Sequence, residues 1–186
     1  MLRVAAIVPV TEAEGPGRRF ALWVQGCSIR CAGCCNPHLF DAGGGRAMAV
    51  ASVVDLIRRS AERIEGITLL GGEPFEQAGP LSRVARGARD LGLSVMTFSG
   101  YTLDELRSRG GAEALLAQTD LLVDGRYDAA QPETGRRWAG SANQRFHFLT
   151  ARYSPGIELG RERMVEITLG GGRIRANGWP ALLKGG

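Results

Sequence analysis

Ile67-Thr68-Leu69-Leu70-Gly71-Gly72-Glu73-Pro74 is the stretch that decides the fold. Its first four residues are a short apolar run that reads as a buried strand, and Gly71 to Pro74 stop it. A helical pattern over about 76–91 follows and ends at Gly92, and Leu93 to Phe98 reads as the next strand. On the N-terminal side, Val53, Val54, Leu56, Ile57, Ala61 and Ile64 give a mixed three-four spacing that predicts a helix over about 49–64. Residues 3–10 and Phe20 to Gln25 read as two earlier strands, with the loop Glu14-Gly15-Pro16-Gly17 between them.

On the C-terminal side, Thr102-Leu103-Asp104-Glu105 has the form of a capping box opening a third helix. Asp120 to Asp124 reads as a strand, 126–143 as a long polar loop, and Arg145 to Thr150 as a further strand. Met164 to Leu169 and Arg173 to Ala176, on either side of Gly170-Gly171-Gly172, read as a hairpin. Strands alternating with helices imply a mainly parallel α/β sheet. The 186 residues suit a single domain, 1–186, whereas a complete eight-stranded barrel usually takes ~250. The expected fold is therefore an incomplete, open-sided (β/α) barrel of about five to six mainly parallel strands with a short C-terminal hairpin. Such sheets carry their sites at the C-terminal ends of the strands. The unusual motifs, after 25, 70, 98 and 124, all fall at predicted strand ends.

Composition narrows the class of protein. Apolar residues at 44% and charged residues at 23% are ordinary for a globular chain, and 27 glycines point to many turns and close backbone approaches. The net charge of +4 and pI near 9.2 admit a nucleic-acid binder, but the arginines are scattered and no basic block of five or six occurs. No apolar run is long enough to span a bilayer, and the N-terminus lacks a signal-peptide pattern, so the expected location is the cytoplasm.

All four cysteines fall between residues 27 and 35. A disulfide framework would spread them to close loops, so the crowding reads as metal ligation. Cys27, Cys31 and Cys34 hold three corners of an Fe–S cube and leave one iron open, or they bind zinc with Cys35 or His38 as the fourth ligand. Spacing alone leaves both readings standing. Gly71 and Gly72 expose strand-end backbone whose carbonyls accept bonds from an ammonium group, though an ordinary strand-to-helix turn looks the same. His147, in an alternating strand, reads as structural, and the triple glycines lack the Lys-Ser/Thr of a phosphate loop. Trp138 and Trp179 read equally as partner contacts or as core and loop anchors.

Glu14-Gly15-Pro16-Gly17-Arg18, Trp23-Val24-Gln25-Gly26-Cys27, the CxxxCxxC and Asn36-Pro37 resemble the opening of glycyl-radical-enzyme activases of the radical S-adenosylmethionine (SAM) superfamily. Gly71 to Pro74 is similar to that superfamily's SAM-binding motif. Ser99 to Thr102, Val123 to Arg126 and Gly140 to Gln144 resemble the anaerobic ribonucleotide reductase activases more particularly. The resemblance covers roughly 14–145, and the tail from about 150 to 186 resembles nothing in the family.

The resemblance implies a [4Fe–4S] cluster on Cys27, Cys31 and Cys34, and SAM as cofactor. It places SAM contacts at Gly33, Cys34, Cys35, Gly71, Gly72, Glu73, Pro74, Ser99, Asp124, Gly125, Arg126 and Asn143, with Arg126 forking onto the SAM carboxylate. Reduction by a flavodoxin- or ferredoxin-type donor cleaves SAM to a 5′-deoxyadenosyl radical, which abstracts a hydrogen atom; beyond the cluster ligands no catalytic side chain is implied. The implied partner is a glycyl-radical enzyme, the class III ribonucleotide reductase. A stand-alone enzyme acting on a peptide or small molecule, and a non-catalytic zinc or Fe–S module, are the alternatives. One departure matters: the residue after the third cluster cysteine is usually aromatic, near the adenine, and here it is Cys35.

Overall fold

The computed structural model describes residues 1–160, 164–170 and 173–178; Gly171, Gly172 and Trp179 lie outside the described residues. Strands β1 (Leu2–Thr11) and β2 (Arg19–Val24) lead into the cysteine segment, followed by β3 (Arg46–Met48) and helix α1 (Val50–Ser60). The middle of the chain runs β4 (Gly66–Gly71), α2 (Ala78–Arg89), β5 (Ser94–Phe98), α3 (Leu103–Ser108), α4 (Glu113–Leu116) and β6 (Leu121–Asp124). The order ends with β7 (Arg145–Phe148) and the hairpin β8 (Val165–Gly170) and β9 (Arg173–Gly178).

The architecture corrects the expected (β/α) barrel. A single seven-stranded mixed sheet runs β3-β1-β2-β4-β5-β6-β7, and its edge strands β3 and β7 do not meet to close it. Only the run β2-β4-β5-β6 is parallel; β1 pairs antiparallel with both β2 and β3, and β7 pairs antiparallel with β6. The reason lies in the connections. A parallel return needs a crossover of a dozen or more residues, usually helical, whereas a short link returns the chain antiparallel. The link from Thr11 to Arg19 is too short for a helix, and the segment between β6 and β7 contains none.

Helices cover one face of this sheet. From α1, Val53 and Ile57 are buried; from α2, Leu81, Val84, Ala85 and Ala88 are buried. They pack on alternate strand residues, among them Phe20, Leu22, Ile67, Leu69, Val95 and Leu122. Each fully buried Leu, Ile or Val side chain contributes about 1.5–3 kcal/mol. The other strand parity points to the opposite face: Met96, Leu121 and Val123 form a second cluster beneath Trp138, Phe146 and Phe148. Strands β5 and β6 are thus covered on both faces, which explains their continuous apolar runs.

At the start of β2, Arg19 is fully buried. Its guanidinium donates to Thr68 Oγ1 at 3.1 Å, Ser94 Oγ at 2.7 Å, Tyr153 Oη at 2.9 Å and the Ile67 carbonyl. Burial lowers its pKa from the ordinary arginine value. This one side chain ties β2, β4, β5 and the chain after β7 together at the end of the sheet opposite the cysteine loop. No helix among the described residues is long and apolar enough to cross a membrane.

Candidate functional site

The cysteine segment leaves β2 through Gly26, at φ +97°. Backbone bonds from Gly26 N to Leu39 O (2.9 Å) and Cys27 N to Phe40 O (3.3 Å) close its two ends into a loop. Inside it, Gly33 sits at φ +75°, a conformation suited to glycine, and Cys34 N bonds the Cys31 carbonyl at 3.2 Å. Cys27, Cys31 and Cys34 are half-buried and Cys35 is exposed. Burial pushes the Cys27 thiol up, and the Glu73 and Glu76 charges add to the effect. Side chains from the next turn fasten the loop: Glu76 accepts from Ser28 N at 3.0 Å, and Gln77 Nε2 donates to Gln25 O at 2.9 Å.

Gly71 and Gly72 end β4 directly against this loop. An ideal Cβ on Gly71, which is at φ +111°, would lie 2.6 Å from Val24 N; one on Gly72 would lie 2.1 Å from Gly26 O. Backbone bonds hold the contact, Gly72 N to Val24 O and Glu73 N to Gly26 O, both 2.8 Å. The paired glycines therefore let the strand end touch the root of the cysteine loop. Glu73 is buried and binds two elements, accepting from Phe75 N and Ser99 Oγ at 2.9 Å and from Gly100 N at 2.8 Å. Burial outweighs those donors and raises its pKa to about 7. Pro74 opens the short 3-10 turn that Glu73 caps.

The third motif group folds onto itself. Asp124 is buried, accepts from Leu103 N at 2.5 Å, and stands 2.9 Å from His147 Nε2 without the alignment of a hydrogen bond. Arg126 forks onto Glu105 at 3.0 and 3.0 Å, and this pairing, with the Thr102 amide, lowers the Glu105 pKa to about 2. Asn143 Nδ2 donates to Arg126 O at 2.8 Å, and Gln144 bridges Gly125 O (3.1 Å) and Gly140 N (2.7 Å).

A cavity of about 1330 Å³ spreads over the sheet face opposite the helices. Cys27, Cys31, Cys34 and Cys35 line it, as do Gly71, Gly72, Glu73, Ser99 and Gly125. Gly33, Pro74, Asp124, Arg126 and Asn143 are not among its lining residues; Gly33 instead faces Ala129 and Tyr127. Tyr127 and Arg137 line the cavity although the sequence marked neither. So does Trp138, at φ +63°, beneath the Arg137 guanidinium at 4.8 Å. Among the described residues no three His, Cys, Asp or Glu side chains converge as a single metal-ion site.

The domain family described as 4Fe-4S single cluster domain matches residues 13–147, a span that holds every cysteine and all the lining motifs above. The anaerobic ribonucleoside-triphosphate reductase-activating protein of Vibrio cholerae is 34% identical over 151 residues, 76% of this chain and 95% of that protein. The chain belongs to this family of activating proteins. The protein of the same name from phage T4 is 31% identical over 145 residues (75% of this chain, 89% of the relative), and that of Escherichia coli K12 is 31% identical over 148 (76% and 95%). Within the family, then, the chain carries the 4Fe-4S domain up to β7 and continues past residue 147 with a segment the domain match does not include.

Proposed function

We propose that this protein is a radical SAM activating enzyme that installs a glycyl radical on an anaerobic ribonucleotide reductase. The observation that carries the reading is a juxtaposition: three thiols of one loop and the Gly-Gly-Glu turn share one cavity, pressed together at the Gly26–Gly72 contact. Three soft thiolates on a half-buried loop beside a roomy cavity suit a cube with one iron left for an exogenous ligand. Cys27, Cys31 and Cys34 would hold that cluster. When bound, cluster and SAM supply reductive cleavage of the sulfonium to a 5′-deoxyadenosyl radical that abstracts a hydrogen atom.

The protein's own part is placement. Backbone at Gly71 to Glu73, together with Ser99 and Gly125, would hold SAM where these residues line the cavity, and Glu73 fixes the Ser99-Gly100 turn relative to the cysteine loop. Gly33, Pro74, Asp124 and Asn143 act from outside the cavity lining: Gly33 turns the cysteine loop, Pro74 opens the turn after β4, Asp124 takes the Leu103 amide and Asn143 donates to Arg126 O. Arg126, paired with Glu105, would join the SAM carboxylate contact only by exchanging Glu105 for it; unchanged SAM affinity in Arg126→Ala would remove that role. A flavodoxin- or ferredoxin-type protein supplies the electron.

Anaerobic reconstitution followed by dithionite and SAM tests the class. The expected product is 5′-deoxyadenosine; an intact cluster that yields none would argue decisively against radical chemistry. Adding the cognate reductase then separates two readings. A glycyl-radical electron paramagnetic resonance signal supports activation. The segment beyond residue 147, which also lines the cavity, favours a second reading, a stand-alone enzyme for a peptide or small molecule. SAM cleavage with no reductase radical would select it.

A further inference from the structure

Residues 164–178 lie beyond the matched domain, and β8 and β9 form a two-stranded sheet of their own. A lone hairpin is marginally stable in water, so its attachments decide where it sits. Among the described residues, its polar attachments go to the end of β1 and the loop after it. Glu166 Oε1 accepts from Glu12 N at 2.7 Å, Glu14 Oε1 accepts from Gly178 N at 2.7 Å, and Asn177 Nδ2 donates to Thr11 Oγ1 at 2.9 Å. Apolar anchoring is thin, since Ile167, Leu169 and Ile174 are 62%, 74% and 75% exposed. A close fit occurs at Gly178, φ +101°, where an added Cβ would stand 2.9 Å from Ala13 Cβ and 2.2 Å from Met164 O. From this seat Met164, Ala176, Asn177 and Gly178 line the same cavity as the cysteines.

We infer that the β8–β9 hairpin is a gate on the cavity, latched through Glu14 and Glu166 to the Thr11–Glu14 segment, and that ionisation of Glu14 releases it. Closed, the gate confines the cavity to ligands already inside; open, it admits a polypeptide segment. Only that last step rests on the proposed activity.

The latch works through a proton. Glu14 is almost fully buried, and its neighbours from the packed elements are Glu166 on β8, Asn177 and Gly178 on β9, and Thr11 and Glu12 at the end of β1. Arg19 on β2 directs its donors to Thr68, Ser94 and Tyr153 instead, and among the described residues no cation forms an ion pair with Glu14. Burial therefore raises the Glu14 pKa from 4.5 to about 7, with the Glu166 charge in the same direction, against the Gly178 and Asn177 donors. The closed state keeps a proton that the open state loses near 4.5. Closure is fully favoured below that value, weakens as pH rises, and has lost this contribution above about 7.

Hydrogen exchange of the Glu12 and Gly178 amides in the full chain tests the gate. Corrected for intrinsic rates, their protection is expected to fall by at least about tenfold between pH 5 and pH 8.5. Glu14→Gln keeps an acceptor oxygen without the ionisation and should hold protection at both values. Gly178→Ala should expose the Glu12 amide at both. Protection that does not depend on pH in the parent protein, or a Glu12 amide still protected in Gly178→Ala, would overturn the gate. Exchange is read without turnover, so a failure of SAM cleavage leaves this result standing, and the reverse holds too.

Discussion

At the scale of single residues, Gly72 shows why a motif glycine is required. A methyl at this position would meet the Gly26 carbonyl at 2.1 Å, with backbone on both sides and no rotamer to relieve it. Gly72→Ala should cost about 1–3 kcal/mol and lower iron incorporation, because the strain falls on the root of the cysteine loop. Urea unfolding and iron content after reconstitution check the two effects, and normal values for both would mean the contact is not needed. Arg19 gives a prediction at the other end of the sheet. Arg19→Met leaves the Ile67 and Pro16 carbonyls without their guanidinium donor and should destabilise by about 1–3 kcal/mol, read as a lowered urea midpoint with unchanged cluster content. The cysteine spacing was plain in the sequence. The partners of Asp124, Arg126 and Gly72 were not, because Leu103, Glu105 and Gly26 lie 21 to 46 residues away in the chain and only the fold brings them near.

At the scale of elements, local chemistry read true where the partners are close in sequence. The capping box at Thr102 forms as its pattern implies, Thr102 Oγ1 receiving the Glu105 amide and Glu105 receiving the Thr102 amide. Thr102→Ala should cost about 1 kcal/mol and lower the melting temperature by about 2–4 °C; no shift in a thermal melt would show that α3 is held by tertiary contacts alone. What the sequence misled on was strand direction. The run from β4 to β6 has helical crossovers and is parallel, but β1 and β7 join through helix-free links and turn back antiparallel. Strand β3 escaped notice because Arg46-Ala47-Met48 is too short to show a period. The 126–143 segment, read as a loop, is held by its own acceptors: Glu133 takes the Thr134, Gly135 and Arg136 amides, and this seats Trp138 over the cavity.

At the scale of the whole molecule, an open mixed sheet leaves one face for helices and the other for chemistry. The cysteine, Gly71–Pro74, Ser99 and Asp124–Arg126 motifs gather at the ends of β2, β4, β5 and β6, and the cavity extends from there to Glu14–Gly17 and the hairpin at the far end of β1. The proposed chemistry depends on three cysteine sulfurs leaving one iron of a cube to SAM. Mössbauer spectroscopy of anaerobically reconstituted, ⁵⁷Fe-labelled protein, recorded with and without SAM, tests this most directly. Three-cysteine ligation predicts a cubane spectrum in which one iron in four changes its isomer shift and quadrupole splitting when SAM is added. A cluster whose four irons are all indifferent to SAM, or a preparation that takes up zinc and no cluster, would contradict it.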